Sequence, residues 1–321
     1  MKKLLFILIA LLIPVCEILS QSNISMLDVE LIKENRINTI TEWNHTYDGR
    51  EPSDDGRISL RAQYDNYGYL REEITFNSNG EKSRKVTNRF DSAGNRIEHI
   101  VFDSRSNRIT FSQMAAFDQN GNKISEWGFD GMGDYRNKYH FDTEGRVREI
   151  HYTSQGNLRE KRIFKYIGNE TNVSVILPDN TLLEKINLKY NNMGYLIQEA
   201  YFDNKGALVR KIEYTYNGSG QKTGKRRYHR SQMLYRYVYI YENGLLSKII
   251  RNDRQGRENV NNKYFYNENG QLVKEYWFNE NADDYSTRKF TWDSRGNIVS
   301  VETYYASYNY QVLYRYDYSF F

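Results

Sequence analysis

The chain has a single cysteine, Cys16, among 321 residues, so no disulfide can form within it. Only 3 prolines occur, which excludes a proline-rich stalk. The 5 histidines show no H-E-x-x-H spacing, and the sequence has neither a G-x-S-x-G elbow nor a phosphate-binding glycine loop. We therefore predict that the protein is not an enzyme and has no catalytic residues, metal site or cofactor.

The sequence also lacks a large excess of one sign of charge, and long apolar runs are scarce. The formal net charge is only +4, with 27% charged residues and a mean hydropathy of −0.81. A charge this mild does not predict a nucleic-acid partner. Aromatic residues nevertheless reach 15%, including 29 tyrosines, whereas disordered chains are poor in them. An abundance of tyrosine and phenylalanine is typical of half-buried β-strands.

One apolar run lies at the N-terminus. Residues 4–15 are apolar and follow Lys2 and Lys3, as in a bacterial secretory signal. The run is shorter than the ~20 residues of a spanning helix. We predict cleavage after Ser20, a secreted, periplasmic or cell-surface location, and no integral membrane span once the signal is removed. The residues before Cys16 lack the small side chain that lipoprotein processing favours, so we predict no lipid anchor there.

The rest of the sequence is repetitive. The stretch FDSAGNRI begins at Phe90, and FDQNGNKI begins at Phe117. Glycines recur every 23–27 residues, and most of them follow an aromatic residue and an Asp or Asn. The recurring glycines are Gly68, Gly94, Gly121, Gly145, Gly168, Gly194, Gly220, Gly244, Gly270 and Gly296. A period of this length indicates a repeat architecture.

Each repeat contains two strands. A second break follows most of these glycines by 11 or 12 residues, so the basic unit of about 13 residues is a short strand followed by a turn. Asp or Asn bonds its own backbone two residues on, and glycine accepts a positive φ, which makes D-x-x-G a turn. Leu70, Ile74 and Phe76 share one parity and are expected on one face. Ile97 and Ile124 come one position later, which predicts bulges beside those turns.

The two strands of a repeat differ in charge: the first often holds a glutamate, and the second is basic. Folding about residues 77–80 places Glu73 opposite Arg84, and folding about residues 203–206 places Glu199 opposite Arg210. Opposite charges on adjacent strands help to fix the register of the pair. We predict both ion pairs.

The predicted fold is all-β: an elongated, twisted or spiralling antiparallel β-repeat array of roughly twenty strands joined by short D-x-x-G turns. The predicted boundaries are a signal peptide at 1–20, an N-terminal cap at 21–55, a YD-like repeat array at 56–303 and an aromatic C-terminal cap strand at 304–321.

The aromatic-D-x-x-G phrase, clearest at residues 64–70, 90–97, 117–124, 141–147 and 292–298, resembles the YD-repeat, or RHS-repeat, family of bacterial secreted proteins. The stretches at 241–248 and 266–278 also resemble MORN-type variant repeats. Both families are antiparallel hairpin arrays. The resemblance implies export, a β-repeat fold and binding of carbohydrate or protein at the cell envelope. Because no toxin core follows the repeats, a toxin-delivery role is not carried over.

Two candidate sites follow from the pattern. Tyr235, Tyr237 and Tyr239 share one parity and are the candidate for a partly exposed ligand-binding stripe, since tyrosine rings stack on flat ligands. The alternative is that they form cross-strand aromatic ladders that stabilise the sheet, as most of the tyrosines are expected to do. Alternating oxygens from Asp118 to residue 122 suggest calcium. An EF-hand loop, however, needs a glycine and a glutamate where Lys123 and residue 129 stand, which favours a turn.

We predict an exported, non-enzymatic repeat protein that binds an envelope glycan or a protein partner. Two alternatives stay open: a structural or assembly role in the envelope, and a polysaccharide-acting enzyme.

Overall fold

A computed structural model describes residues 29–278 and 284–321. The predicted signal peptide, its cleavage after Ser20 and the question of a lipid on Cys16 lie outside these residues. The described part is almost entirely β-structure, as predicted. Its elements are α1 Val29–Glu34, β1 Ile37–Asp48, β2 Glu51–Pro52, β3 Arg57–Tyr64, β4 Leu70–Phe76, β5 Lys82–Phe90, β6 Arg96–Asp103, β7 Arg108–Phe117, β8 Lys123–Phe129, β9 Asp134–Phe141, β10 Val147–Ser154, β11 Asn157–Ile167, β12 Glu170–Ile176, β13 Leu182–Tyr190, β14 Leu196–Asp203, β15 Leu208–Tyr216, β16 Lys222–His229, β17 Gln232–Glu242, β18 Leu245–Asn252, β19 Glu258–Tyr266, β20 Leu272–Phe278, β21 Tyr285–Trp292, β22 Ile298–Tyr305, a 3-10 turn Ala306–Tyr308 and β23 Tyr310–Phe320.

Helix α1 precedes the first strand. Its Ile32 is 1% exposed and packs in a cluster with side chains of β1, β3 and β22. Asn35, just after the helix, donates from its amide to Oδ1 of Asn297 at 2.8 Å. The helix is therefore fixed against the sheet. No helix in the described part of the chain is long and apolar enough to cross a bilayer.

The sheet closes on itself. Each strand pairs antiparallel with its neighbour in sequence, and β2 pairs only with β1. Strand β1 then pairs on one side with β3, where Ile40 lies opposite Ala62, and on the other with β23, where Ile40 lies opposite Tyr318. The result is a closed barrel of 22 strands. The predicted open, spiralling array is therefore wrong.

Closure has a simple physical reason. An open array leaves unpaired N–H and C=O groups along both edge strands, and closure removes both edges. The segments predicted as caps supply β1 and β23, whose ladder runs from Ile37 opposite Phe320 to Thr46 opposite Val312. The repeat pattern contains no information on this pairing because the two strands lie at opposite ends of the sequence.

The prediction that no integral membrane span is left after signal removal is overturned by the same closure. That prediction rested on the lack of a second apolar run long enough for a spanning helix and on strands such as residues 81–90, which lack the apolar band of a membrane barrel. A closed strand barrel is the second architecture able to cross membranes, since every backbone polar group is paired within the cylinder.

The D-x-x-G phrase forms the predicted turn. At Asp65 the carboxylate oxygen Oδ1 accepts the backbone N–H groups of Tyr67 at 2.9 Å and Tyr69 at 3.0 Å. The backbone N–H of Gly68 donates to the carbonyl of Asp65 at 2.9 Å, and Gly68 has φ of +84°. The side chain therefore caps the turn, while glycine supplies a left-handed conformation that other residues adopt at a cost.

Asparagine builds the same turn in other repeats. Asn77, Asn191, Asn217 and Asn267 each accept the backbone N–H groups two and four residues on. In the aspartate turns these bonds stabilise the ionised carboxylate. Hydrogen bonds from the side chain and backbone of the asparagine four residues on accordingly lower the pKa of Asp91 and of Asp118.

We predict that replacing Asp91, Asp118, Asp142 and Asp253 together by asparagine reduces the loss of stability in acid. Their folded-state pKa values are lowered, so their contribution is present above the unfolded-state pKa of about 3.9 and is lost as pH falls through the lower folded-state value. Urea unfolding of both proteins from pH 7 to pH 3 measures this. Equal slopes in the acid range would contradict the prediction, and alanine at the same positions should destabilise at every pH.

Bulges follow the turns, as predicted at Ile97 and Ile124. The ladders between β5 and β6 and between β7 and β8 shift register there. The same shift separates the expected face-mates in β4. Leu70 packs against the buried cluster, whereas Ile74 lies opposite Arg61 and Lys85 on the other face. The expectation of one shared face is therefore wrong, because the bulge changes the parity of the strand.

Aromatic residues near the ends of several strands bond the preceding repeat. In six cases the side-chain O–H or N–H donates to the carbonyl of the residue just before a bulge, 19 or 20 residues earlier, at 2.7–2.9 Å. The pairs are Tyr166 with Val147, Tyr216 with Leu196, Tyr241 with Lys222, Tyr266 with Leu246, Trp292 with Leu272 and Tyr318 with Ile298. A bulge interrupts the ladder, and the aromatic side chain satisfies a carbonyl group at that interruption.

The two faces of the sheet differ in burial. Nearly all deeply buried strand side chains share one face, for example Leu60 with Tyr316, and Ile150 with Phe164. The other face carries exposed ion pairs. Side chains converge on the concave side of a closed sheet and diverge on its convex side, so we assign the buried face to the inside of the barrel.

Candidate functional site

The three tyrosines of the predicted stripe lie on the inner face of β17. Tyr237 is opposite Lys225 of β16 and Arg251 of β18, while Tyr239 is opposite Ile249. All three tyrosines are half-buried. They share one face because alternate residues of a regular strand point the same way. The structure therefore brings the stripe together on one face with partial access.

Basic side chains surround the stripe. The guanidinium carbons of Arg227 and Arg251 lie 5.9 and 5.8 Å from the ring centre of Tyr235, and the rings of Tyr235 and Tyr237 meet edge to face at 5.3 Å. Nη1 of Arg227 also donates to the Tyr235 hydroxyl at 3.3 Å. Cations within about 6 Å of a ring interact favourably with it. The stripe is thus an aromatic surface with positive charge on both sides.

A small cavity opens beside the stripe. It has a volume of about 230 Å³ and is lined by side chains of β13 to β17, among them Glu184, Tyr201, Arg210, Arg227 and His229. Arg210 lies opposite Tyr201, with its guanidinium carbon 3.8 Å from the ring centre. Sequence parity could not have identified Arg210 and Arg227, because they lie on β15 and β16 and their alignment with the tyrosines depends on the ladders and bulges between these strands.

The arrangement around Arg210 corrects one predicted ion pair. Glu199 lies opposite Ile212 and accepts the hydroxyl groups of Tyr201 at 2.8 Å and Tyr214 at 2.6 Å. The predicted pairing of Glu199 with Arg210 is wrong, because the bulge shifts Arg210 into register with Tyr201.

The other predicted ion pair is present. Nη1 of Arg84 lies 3.2 Å from Oε1 of Glu73. The two residues are diagonal neighbours, since Glu73 is directly opposite Val86.

The suspected calcium loop is a turn. Oδ1 of Asp118 accepts the backbone N–H groups of Asn120 and Asn122, and Oδ2 accepts the Asn122 amide at 3.0 Å. Both carboxylate oxygens are therefore occupied by the turn itself. Within residues 29–278 and 284–321, no group of three or more acidic or histidine side chains is placed to hold a metal ion.

Comparison with known proteins gives only distant similarity. No family model and no curated protein matches the chain. A Photorhabdus luminescens Tc holotoxin pore with a mutation in TccC3 is 14% identical at a TM-score of 0.30, over 86% of this chain and 18% of that one. A TcdB2-TccC3-Cdc42 structure is 11% identical at 0.26, over 85% and 19%. The chain thus spans about a fifth of those chains.

A porin-like protein from Bacteroides uniformis matches over nearly its whole length. It is 10% identical at a TM-score of 0.32, over 88% of this chain and 98% of that one. Similarity this weak carries no information on function. The resemblance to YD repeats therefore stays an interpretation of the sequence.

Proposed function

We propose that the chain is an exported, non-enzymatic β-barrel that binds a glycan or a protein partner at the bacterial cell envelope. The predicted secretory signal supports the location. The observation that carries the binding role is the half-buried stripe of Tyr235, Tyr237 and Tyr239, flanked by Arg227 and Arg251. Exposed aromatic rings beside cations bind ligands that have a flat surface and polar groups at its edge.

The stripe differs from the structural tyrosines of this fold. Tyr241, the next residue of the same parity, donates its hydroxyl to the Lys222 carbonyl at 2.9 Å and so fixes the backbone. The hydroxyl of Tyr235 accepts from a side chain instead. The two kinds of tyrosine can therefore be separated by experiment.

We predict that changing Tyr235, Tyr237 and Tyr239 together to serine weakens binding to an envelope glycan or partner about tenfold or more, the effect of losing about 1.4 kcal/mol. The melting temperature should change little. As a control, Tyr241→Phe should lower the free energy of unfolding by about 1 kcal/mol through loss of one hydrogen bond, with binding unchanged. A large fall in melting temperature of the triple variant would mean that the stripe is structural.

The non-enzymatic role is tested directly. The purified protein is incubated with a panel of envelope glycans, and the products are analysed by mass. We expect binding of at least one glycan or of a protein from envelope extract, without cleavage. Turnover of any glycan would contradict the proposal and favour the polysaccharide-acting alternative.

A further inference from the structure

The outer face carries opposite charges over the first half of the barrel. Nζ of Lys85 lies 2.6 Å from Glu72, Nη2 of Arg89 lies 3.4 Å from Glu98, and Nζ of Lys189 lies 2.9 Å from Glu170. These cations are partly exposed, and each has a carboxylate beside it. Such pairs support the register of the strands and leave little unbalanced charge.

The outer face of β16 to β21 is different. Three times in succession, two cations stand directly opposite each other on paired strands. The pairs are Arg226 with Arg236, Lys248 with Lys263, and Lys274 with Lys289. We call these six residues the basic belt. All six are exposed or partly exposed, and their inward-facing neighbours in sequence include Tyr235, Ile249 and Phe290.

Like charges directly opposite each other destabilise a strand pair. Among the described residues, carboxylates form ion pairs with belt cations only at the two ends of the belt. Glu213 lies 4.0 Å from Arg226 while it holds Lys211 at 2.7 Å, and Glu302 lies 2.9 Å from Lys289. Three repulsive pairs in a row have no structural benefit that the same strands could not obtain from neutral residues.

The belt combines its charge with a groove and aromatic rings. A cavity of about 660 Å³ is lined by Arg226 and Arg236, and also by the apolar side chains of Met193 and Ile197. Nζ of Lys274 lies 4.5 Å from the ring centre of Tyr276, and Nζ of Lys263 lies 5.6 Å from that of Tyr285. Apolar and aromatic surface between cations suits a ligand with both a negative charge and an apolar face.

We propose that the basic belt binds an acidic polysaccharide, one that carries a carboxylate or sulfate on most sugar units. Its six strands span about 24 Å at ~4.8 Å per strand, which fits several units of a polymer better than one small anion. A sugar ring has an apolar face that packs on an aromatic ring, while its acidic group reaches a flanking cation. This site is on the opposite face of the sheet from the tyrosine stripe and does not depend on it.

The test uses a matched pair of variants. The belt variant carries Arg236→Gln, Lys248→Gln and Lys274→Gln, which removes one member of each like-charge pair. The control variant carries Lys85→Gln, Arg89→Gln and Arg146→Gln, which lowers the net charge equally but removes cations that already have carboxylate partners and do not line the cavity. Binding to a polyuronate oligomer of defined length is measured by calorimetry at several salt concentrations, with neutral dextran and a DNA duplex as comparison ligands.

We expect the full chain to bind polyuronate more weakly as salt rises, because binding releases counterions. The belt variant should lose at least about tenfold in affinity, corresponding to about 1.4 kcal/mol, with an equal or higher melting temperature. The control variant should lose less than about twofold in affinity, because the cations that it removes already have carboxylate partners. Its net charge equals that of the belt variant, so a difference between the two cannot come from net charge.

Four results would overturn the proposal: no binding of polyuronate even at low salt, equal losses in both variants, tighter binding of the DNA duplex, or a belt variant that unfolds at a lower temperature. Equal losses would mean that net charge alone attracts the polymer. A belt variant that unfolds at a lower temperature would mean that the cations are structural. Failure of the tyrosine variant affects only the proposed function, because that stripe lies on the inner face.

Discussion

Replacing Ile40 by alanine is expected to lower the free energy of unfolding by about 2–5 kcal/mol. Ile40 is 0% exposed and lies at the seam where the barrel closes, opposite Ala62 on one side and Tyr318 on the other. Its side chain belongs to the buried cluster that includes Ile32 of α1 and Val301 of β22. Truncation would remove apolar contacts and leave a cavity that the two ladders prevent from collapsing.

Ile167→Ala is the matched control for this prediction. Ile167 is 65% exposed at the end of β11, so the same chemical change should alter the free energy of unfolding by less than about 0.5 kcal/mol. The midpoint of urea unfolding measures both variants. An Ile40→Ala protein as stable as the Ile167→Ala protein would mean that the first and last strands do not pack together, and the closed barrel would then be wrong.

The second large effect is expected at Gly128, where alanine should cost about 3 kcal/mol, the upper part of the range for overpacking. A Cβ atom at this position would lie far inside van der Waals contact with the backbone carbonyl of Ser112 on the neighbouring strand. Backbone cannot rotate away as a side chain can. Gln113 is paired directly with Gly128 in the β7–β8 ladder, so relief of the contact would have to open that ladder.

Gly218 provides the control for Gly128. It also has no positive φ, and a Cβ atom there would meet nothing within 4 Å. Gly218→Ala should therefore be neutral, or should stabilise by about 0.4–1 kcal/mol through a less flexible unfolded chain. Thermal and urea unfolding of the two variants distinguish them. If both glycines tolerate alanine equally, the close approach of β7 and β8 at Gly128 does not exist in solution.

The turns show how far local sequence determines this structure. The phrase at Asp65 to Gly68 contains its own hydrogen-bond acceptor and its own residue for positive φ. Both act within five residues, so the turn needs no distant partner. The bulges at Ile97 and Ile124 could be predicted for the same reason.

Register was predicted less well, because a bulge moves every following residue to the other face. Glu73 still meets Arg84, since the diagonal distance is short enough for an ion pair. Glu199 does not meet Arg210, whose partner is Tyr201. The number of residues between two charges does not predict their contact unless the position of the extra residue is known.

The tyrosine stripe was predictable in part. Its common face followed from alternation within one strand, and Tyr235, Tyr237 and Tyr239 do share that face. The basic side chains beside it come from β16 and β18, and their positions depend on two ladders. The belt on the outer face, such as Arg226 opposite Arg236, could not be found without the register of those strands.

By itself, the sequence determined the all-β class, the turns and the number of strands to within a few, because each of these depends on contacts between residues close in the chain. The tertiary structure decided that the sheet closes, and with it which face is inside. Closure depends on the sum of small twists over all the strands, which brings Glu42 within 2.9 Å of the Tyr316 hydroxyl, 274 residues away. A sum of that kind is a property of the whole sheet and cannot be read from any single repeat.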